Sequence, residues 1–553
     1  MDDKPVANYS YSDPPPREHQ IRAFLKCYGL PYSALLMEQG TGKSKVAIDI
    51  ASNLYIEKKI NAVLLIAPNN VHTQWDDEQI PIHSSVDYTS HVYSHKISDV
   101  YLRSLHRFID PETKGALKWF CVNTELFSTL NRVQLIRDYV RQHDTLIILD
   151  EATDIKNPDA SRTVNIIQAL SKVVYSDNGK RIISIEPLSK YRMILTGTIV
   201  TNAPFDAWAP FEFLHHDFFG KDFWSFKTRY GINVRLRYPG KTRDTTRRIK
   251  KTEITSVRKY IEQGKGAEYI AELMKISESS AQYLINNPSV NVPYKNLEEL
   301  KEKIDTVSFT IRKCDCLDLP PKIYERVYSE MSKEQETAYR ELKRDLLTMY
   351  KNVELTAVNK VTMIGRLQQI TGGFFPGKDD EEQKVLIPFD KSPKLEGLIR
   401  DLGESIDRPI IVTARFTAEI RQIESALRKA FDEEVVERID GSVSNNDRNE
   451  IRDRFNKGEV DFLVANAETI GRGLNLQICH TMHLFSNSYS LYWRAQLEDR
   501  IHRDGQTSGT VLYKDHVMKG TIDERVLEVL SDKRDLLDYM RDTDIGEFIG
   551  GSE

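Results

Sequence analysis

The first half of the chain alternates short apolar runs with stretches of helical period. Ala34-Leu35-Leu36 is followed by a glycine turn and then by a helical pattern at Val46, Ile48, Ile50, Ala51 and Leu54. Further apolar runs cover residues 62–68, 119–122, 145–149 and 193–195. Short continuous runs that end in polar or glycine residues predict buried parallel strands, with function at their C-terminal ends. The expected fold is an open α/β sheet. From about Phe218 to Leu300 the pattern changes to a charged, helical period with few strand-like runs. Alternation resumes in the second half, with strands predicted at 409–413, 461–465, 482–485 and 511–513 and a helix from Ile522 to Met540. Pro320 and Pro321 interrupt the chain and place a boundary near Leu319–Lys322.

Two stretches at strand ends carry chemistry. Met37-Glu38-Gln39-Gly40-Thr41-Gly42-Lys43-Ser44 lies between the first predicted strand and the first long helix, the setting a phosphate-binding loop requires. Gly40 and Gly42 let backbone N–H groups point into one concavity, and the helix N-terminus favours an anion. Lys43 suits β/γ-phosphates, and the Ser44 hydroxyl suits Mg²⁺. The strict pattern has a glycine where this chain has Met37. Asp150-Glu151 closes the strand at 145–149, with one carboxylate placed for a Mg²⁺ shell and the other for an attacking water. Arg500 and Arg503, three apart, are expected on one helical face, which reads either as a solvent-exposed ion-pair face with Glu498 and Asp499 or as two guanidinium groups that clamp a γ-phosphate.

Composition narrows the setting. At 553 residues the chain exceeds one ordinary core. Acidic residues outnumber basic ones, 82 against 77, so any nucleic-acid contact must come from local patches. One such patch is Arg235, Arg237, Lys241, Arg243, Arg247, Arg248, Lys250, Lys251, Arg258 and Lys259, which reads either as a solvated face or as a phosphate-contacting surface. Five cysteines argue against a disulfide framework and for a reducing compartment. Cys314 and Cys316 form a lone CxC without a second pair at ligand spacing and read as packing residues. No apolar run approaches the ~18 residues of a membrane span, and the polar N-terminus lacks a signal-peptide core. The expected setting is cytoplasmic.

The order of motifs then becomes specific. Asp150-Glu151-Ala152-Thr153-Asp154-Ile155-Lys156-Asn157 resembles the DEAH-x-x-K-N box of the Swi/Snf branch of superfamily 2 helicase-like ATPases. Glu38 to Ser44 resemble its first motif, and Gln20 sits where the family has an adenine-recognising glutamine. Residues 65–68, with Trp75 and Glu78 beyond them, resemble motif Ia. Thr124-Glu125 resembles motif Ib, and Leu195-Thr196-Gly197-Thr198 with Asn202 resembles motif III. Phe309 to Lys322 is similar to the family's hinge, and residues 366–370 to its L-R-Q-I helix. In the second half, Asp440-Gly441-Ser442, Glu468 to Leu476, and Gln496 to Gln506 resemble the segment after motif IV, motif V and motif VI. Thr153 stands where the family has a histidine, Ile199 where it often has proline, and Arg472 within the glycine-rich motif V.

The resemblance implies two tandem RecA-like lobes with a mostly helical insertion, ordered as 1–220 (lobe 1), 221–305 (basic insertion), 306–350 (hinge and inter-lobe helices) and 351–553 (lobe 2). It implies ATP and Mg²⁺ as cofactors. Gln20, Glu38, Gly40, Thr41, Gly42, Lys43, Ser44, Gly471 and Gln496 are the implied nucleotide contacts, and Ser44 and Asp150 the metal ligands. Lys43, Asp150, Glu151, Arg500 and Arg503 are the implied catalytic set. DNA, duplex or branched, is the implied partner, met by Thr124, Ser442 and Asn475 and, as the phosphate-contacting reading of the patch has it, by Arg247, Arg248 and Lys250. The implied function is an ATP-driven DNA translocase, expected as a monomer. A strand-separating or branch-migrating helicase and a nucleotide-controlled clamp are the alternatives. The motifs run from roughly residue 14 to 535, so a compact bacterial, phage or viral member is expected.

Overall fold

The computed structural model describes residues 9–530 apart from 70, 95–97, 111–114, 129–132, 176–181, 198, 201–202, 221, 239–240, 247–250, 288–293, 350–364, 379–383, 472–473, 489–490 and 529. Among these, the residues up to Cys316 form one compact unit and those from Leu317 another.

The first unit is built on seven parallel strands: β1 (Tyr32–Met37), β2 (Ala62–Ala67), β3 (Tyr88–Val92), β4 (Leu117–Asn123), β5 (Thr145–Asp150), β6 (Tyr191–Thr196) and β7 (Ser308–Ile311), in the order β7-β1-β6-β5-β2-β4-β3. The continuous apolar runs arise because both faces of this sheet are covered. In β5, Ile147 and Leu149 enter one core with Phe120, Tyr139 and Phe211, while Leu146 and Ile148 enter the other with Val46, Trp75 and Trp119. α1 (Glu18–Cys27) precedes β1, and α2 (Lys43–Ile56) follows it. Register pairs Leu36 with Thr196 and Asp150 with Leu195. The strand of motif III therefore lies between the strand that feeds the glycine loop and the strand that ends in Asp150.

The basic insertion, expected over 221–305 as mostly helical, carries a hairpin beside its helices. Helices Phe223–Tyr230, Lys251–Glu262, Ala267–Met274, Glu278–Asn286 and Leu297–Asp305 share it with an antiparallel hairpin, Asn233–Tyr238 against Lys241–Thr246. Ile232, Val257, Ile270, Ile276, Ala281 and Leu284 give it a small core of its own. The hairpin carries Arg235, Arg237, Lys241 and Arg243, with Arg235 in register with Asp244. Alternation of Val234, Leu236 and Tyr238 with the arginines was the sequence signal for it, hidden under the charge.

The expected hinge over 306–350 is divided instead. β7 pairs with β1 in lobe 1, whereas β8 (Lys322–Ser329) opens the sheet of the second unit. That sheet adds β9 (Ile410–Ala414), β10 (Val436–Ile439), β11 (Phe462–Asn466), β12 (Thr481–Leu484) and β13 (Val511–Met518), all parallel, in the order β8-β13-β12-β9-β11-β10. Ile411, Leu463 and Met482 face one core, and Ile410, Val412 and Val464 the other. The expectation of two tandem parallel-sheet α/β lobes is met. Residues 522–528 are helical, and the rest of the predicted C-terminal helix from 531 on lies outside the described residues.

Candidate nucleotide-binding site

In lobe 1 the glycine loop joins β1 to α2. Gly40 and Gly42 have φ of 85° and 86°, the left-handed region that side chains disfavour. Gly42 has a second reason to lack a side chain: a Cβ there would stand 2.1 Å from Gln20 Nε2. α1 is thus pressed onto the loop. Gln20 Nε2 donates to Thr41 O at 3.3 Å, and His19 Nε2 lies 2.8 Å from the same carbonyl. His19 is 5% exposed and had no part in the sequence reading. The Thr41 hydroxyl donates to Glu38 O at 2.6 Å, closing the turn. Glu38 Oε2 accepts from Lys313 N at 2.9 Å, so the loop is tied to the residues after β7. Lys43 Nζ donates to Met37 O at 2.8 Å. The position where the strict motif has glycine thus contributes a carbonyl, which any residue supplies. Lys43 and Ser44 are half-buried at the first turn of α2.

The acidic pair sits two strands away in the same sheet. Trp75 Nε1 donates to Asp150 Oδ2 at 2.8 Å, and Glu151 N donates to Asp150 Oδ1 at 2.9 Å. Both carboxylate oxygens are therefore held by scaffold donors. Burial, and after it the Glu151 carboxylate, pushes the Asp150 pKa up to about 6; the Trp75 N–H and the Lys43 ammonium pull the other way. Glu151 has φ of 53°, a left-handed conformation unusual for a side chain of its size. The Thr153 hydroxyl donates to Glu151 Oε1 at 3.0 Å. The residue that departs from the family's acidic box thus contacts the box's second carboxylate. Gly197 packs on the loop, where its Cβ would lie 3.5 Å from Gln39 N. Lys43, Ser44, Asp150 and Glu151 all stand at the C-terminal ends of strands β1 and β5, with motif III between them.

Lobe 2 corrects one expectation. Arg500 and Arg503 do not share a helix: the helix Leu491–Glu498 ends before them, and both lie in turns. Arg500 is 3% exposed, and its guanidinium donates to Gln496 O, Gln496 Oε1 and Leu474 O at 3.1–3.3 Å. Arg503 is half-buried. The helix stops where long-range partners intervene. Tyr513 hydroxyl donates to Glu498 O, and Leu476 N donates to Arg500 O. Glu498 is buried with Arg494, Lys322 and Tyr324 on its carboxylate, and Arg494 also reaches Asp515. Arg494 was absent from the sequence reading. Gly471 packs beside Gln496, its Cβ position 3.8 Å from Gln496 Cβ. A cavity of about 20 Å³, lined in part by Thr413, Asn466, Ser486 and Trp493, lies at the C-terminal ends of β9, β11 and β12.

The expected DNA contacts are scattered. Thr124 is 1% exposed and presents no surface in this conformation. Ser442 is exposed, with its hydroxyl and N–H both on Asp440 Oδ1. Asn475 is half-buried, and its carbonyl accepts from Asn456 Nδ2 at 2.9 Å. Arg247, Arg248 and Lys250 lie outside the described residues, as do Thr198, Asn202 and Arg472. Among the described residues no helix is long and apolar enough to cross a membrane.

Comparison with known proteins gives the family of the chain. Residues 20–371 match the SNF2-related domain, and residues 391–505 match the helicase conserved C-terminal domain. The chain belongs to the SNF2-related family. It is 28% identical over 236 residues to the putative ATP-dependent helicase/translocase YwqA of Bacillus subtilis, which covers 40% of this chain and 24% of that protein. It is 24% identical over 403 residues to the DNA repair and recombination protein RDH54 of Saccharomyces cerevisiae, covering 69% and 36%. The chain therefore spans well under half the length of these curated relatives. Among solved structures, the Sulfolobus solfataricus SWI2/SNF2 ATPase core in complex with dsDNA aligns over 98% of both chains at 19% identity, with a TM-score of 0.37.

Proposed function

We propose that this SNF2-related chain is an ATP-dependent DNA translocase. The observation that carries the reading is the pairing within one sheet of a glycine loop ending in Lys43 and Ser44 with an Asp150 whose two oxygens are both fixed by scaffold donors. Asp150 fits a hard divalent cation: its carboxylate is 9% exposed, and burial makes its charge costly without a positive partner. Ser44 and Asp150 would hold Mg²⁺, which neutralises charge on the phosphates of bound ATP. Gln20, fixed over the loop, would meet the adenine, and Lys43 would leave the Met37 carbonyl for the phosphates. Glu151, steadied by Thr153, would orient the attacking water and take its proton. Arg500 and Arg503 would complete the site from lobe 2, and Gly471 and Gln496 would border the nucleotide. Lobe closure would then follow nucleotide state and drive stepping along DNA.

The partner reading is duplex or branched DNA contacted through its phosphates, which predicts salt-sensitive binding of low sequence specificity. The test is the steady-state ATPase rate with single-stranded DNA, duplex, fork, Holliday junction and RNA. Stimulation by duplex, with triplex displacement in the absence of strand separation, supports the translocase. Strong unwinding of forks transfers the assignment to a helicase. An identical rate with every polymer ends the nucleic-acid reading.

A further inference from the structure

We infer that lobe 2 contains a structural zinc site formed by Asp401, His483 and His516. Among the described residues these three are the one group of metal-ligating side chains whose donor atoms all lie within 4.8 Å of one another. None belongs to the motifs of the nucleotide site.

The placement follows from the sheet. His483 lies in β12, and its register partner in β13 is Lys514. His516 is two residues further along β13, so Lys514 and His516 share a face. Asp401 comes from the helix Pro393–Glu404. His483 is 0% and His516 2% exposed, so neither imidazole is a surface residue met by chance.

The distances have the dimensions of a metal centre. His483 Nδ1 and His516 Nε2 are 3.0 Å apart, and Asp401 Oδ2 lies 3.7 Å and 3.9 Å from them. A point equidistant from three atoms so spaced is about 2.1 Å from each, which is the length of Zn–N and Zn–O bonds. The rings are offset at a centroid distance of 5.3 Å and inclined by 23°, leaving both donor nitrogens turned to a common region. Asp401 Oδ2 is buried and accepts no hydrogen bond, an expensive state for a carboxylate oxygen. The other oxygen, Oδ1, accepts from Lys514 Nζ at 2.6 Å. That bond aims the free oxygen at the histidines, as second-shell donors do around metal ligands.

Two nitrogens and one carboxylate oxygen select zinc over Mg²⁺ or Ca²⁺, which take oxygen ligands. With both histidines buried, only one open position remains, for a water. Such a site would staple the Asp401 helix to β12 and β13. Asp515, between Lys514 and His516 in β13, holds Arg494 of the motif VI helix. The metal would thus brace the strand on which that helix is anchored.

The experiment uses the full chain without a histidine tag, in a Cys314→Ser, Cys316→Ser background, stripped with chelator and kept in excess Mg²⁺ to occupy oxygen-ligand sites. Zinc content is measured after dialysis, and Co²⁺ is titrated as an optical probe. The expected result is one zinc per chain and intense Co²⁺ ligand-field bands of four- or five-coordinate nitrogen–oxygen ligation. Zinc should raise Tm, with chelator reversing the rise. Asp401→Asn, which keeps size and polarity, should weaken zinc binding at least about tenfold and cancel the Tm response; His516→Gln should do the same. No retained zinc in the parent, weak octahedral Co²⁺ bands alone, or unchanged stoichiometry in both variants overturns the site. Should a variant fail to fold, the Co²⁺ spectrum of the parent decides.

Discussion

The two lobes hold their key polar groups in opposite ways. In lobe 1, Asp150 is gripped by Trp75 and by the N–H of Glu151, while Lys43, Ser44 and Glu151 remain half-buried at strand ends. In lobe 2, Arg500 is withdrawn onto Gln496 and the Leu474 carbonyl at 3% exposure, and Arg503 beside it is half-buried. The acid half is shaped by hydrogen bonds that leave its chemistry accessible. The arginine half divides its labour, with one guanidinium serving as internal structure. A fixed donor costs no reorganisation when it acts, whereas Arg500, were it to serve a phosphate, would first have to leave Gln496 and the Leu474 carbonyl.

The sharpest way to break this contrast is to truncate the two arginines separately. Arg503→Ala is expected to lower kcat for ATP by about 10³-fold or more, in the range of an arginine finger. Arg500→Ala should lower Tm by several degrees as well, since it strips a buried group from Gln496 and Leu474 and leaves the Gln496 side chain and the Leu474 carbonyl without its guanidinium. Calorimetry beside single-turnover ATPase separates the two. If Arg500→Ala melts like the parent, its inward bonds carry no stability and the division of labour is wrong.

Next in size is Glu151→Gln. Loss of a general base costs about 10²–10⁴ in rate, while equilibrium ATP binding should persist because Gln20, Lys43 and Ser44 are untouched. Turnover within tenfold of the parent would show that another group handles the water. Retained biological activity without hydrolysis would favour a nucleotide-controlled clamp over a motor.

What could be read without coordinates depended on range. β5 was legible because an apolar run ending in two acids is a local signal, and the glycine loop because strand, turn and helix follow one another within a few residues. Arg500 and Arg503 were misplaced on one helix because three-residue spacing is also local, while the bonds from Tyr513 and Leu476 that accompany the helix end come from elsewhere in the chain. Trp75 was visible as a motif residue, but its grip on a carboxylate 75 positions later belongs to the sheet order, not to any window. The same holds for β7, which reads as hinge yet completes lobe 1 beside β1.

Trp75 supplies the next test. With the Asp150 pKa at about 6, against an ordinary 3.8, the folded protein holds that proton more tightly than the unfolded chain. The resulting stabilisation is full below the ordinary value and is lost as pH rises through about 6. Metal-dependent activity runs the other way, because the carboxylate is the ligating form. ATPase kcat/KM should therefore fall on the acid side near pH 6 at limiting Mg²⁺. Trp75→Phe removes a hydrogen bond to a charged group, worth about 1.5–3 kcal/mol, and should move that limb upward by roughly one pH unit or more. The loss at pH 7 is then about twofold for a one-unit shift and about tenfold for two units, and it is recovered at higher pH. An acid limb that does not move would mean that Trp75 only packs the core.

The smallest effect tests whether lobe 1 is as fully arranged as its hydrogen bonds suggest. Thr153 donates to Glu151 Oε1 at 3.0 Å from the position where the family box has histidine. Donation from the hydroxyl fixes the direction of the carboxylate that is placed for the water. Thr153→Val keeps the shape and removes the hydroxyl. On losing that bond, kcat should drop by roughly fivefold, corresponding to about 1 kcal/mol for one hydrogen bond, with KM for ATP unchanged. Thr153→Ser, which retains the donor, should restore most of that loss. A rise in kcat for Thr153→Val would show that Thr153 restrains the first lobe much as the inward bonds of Arg500 restrain the second.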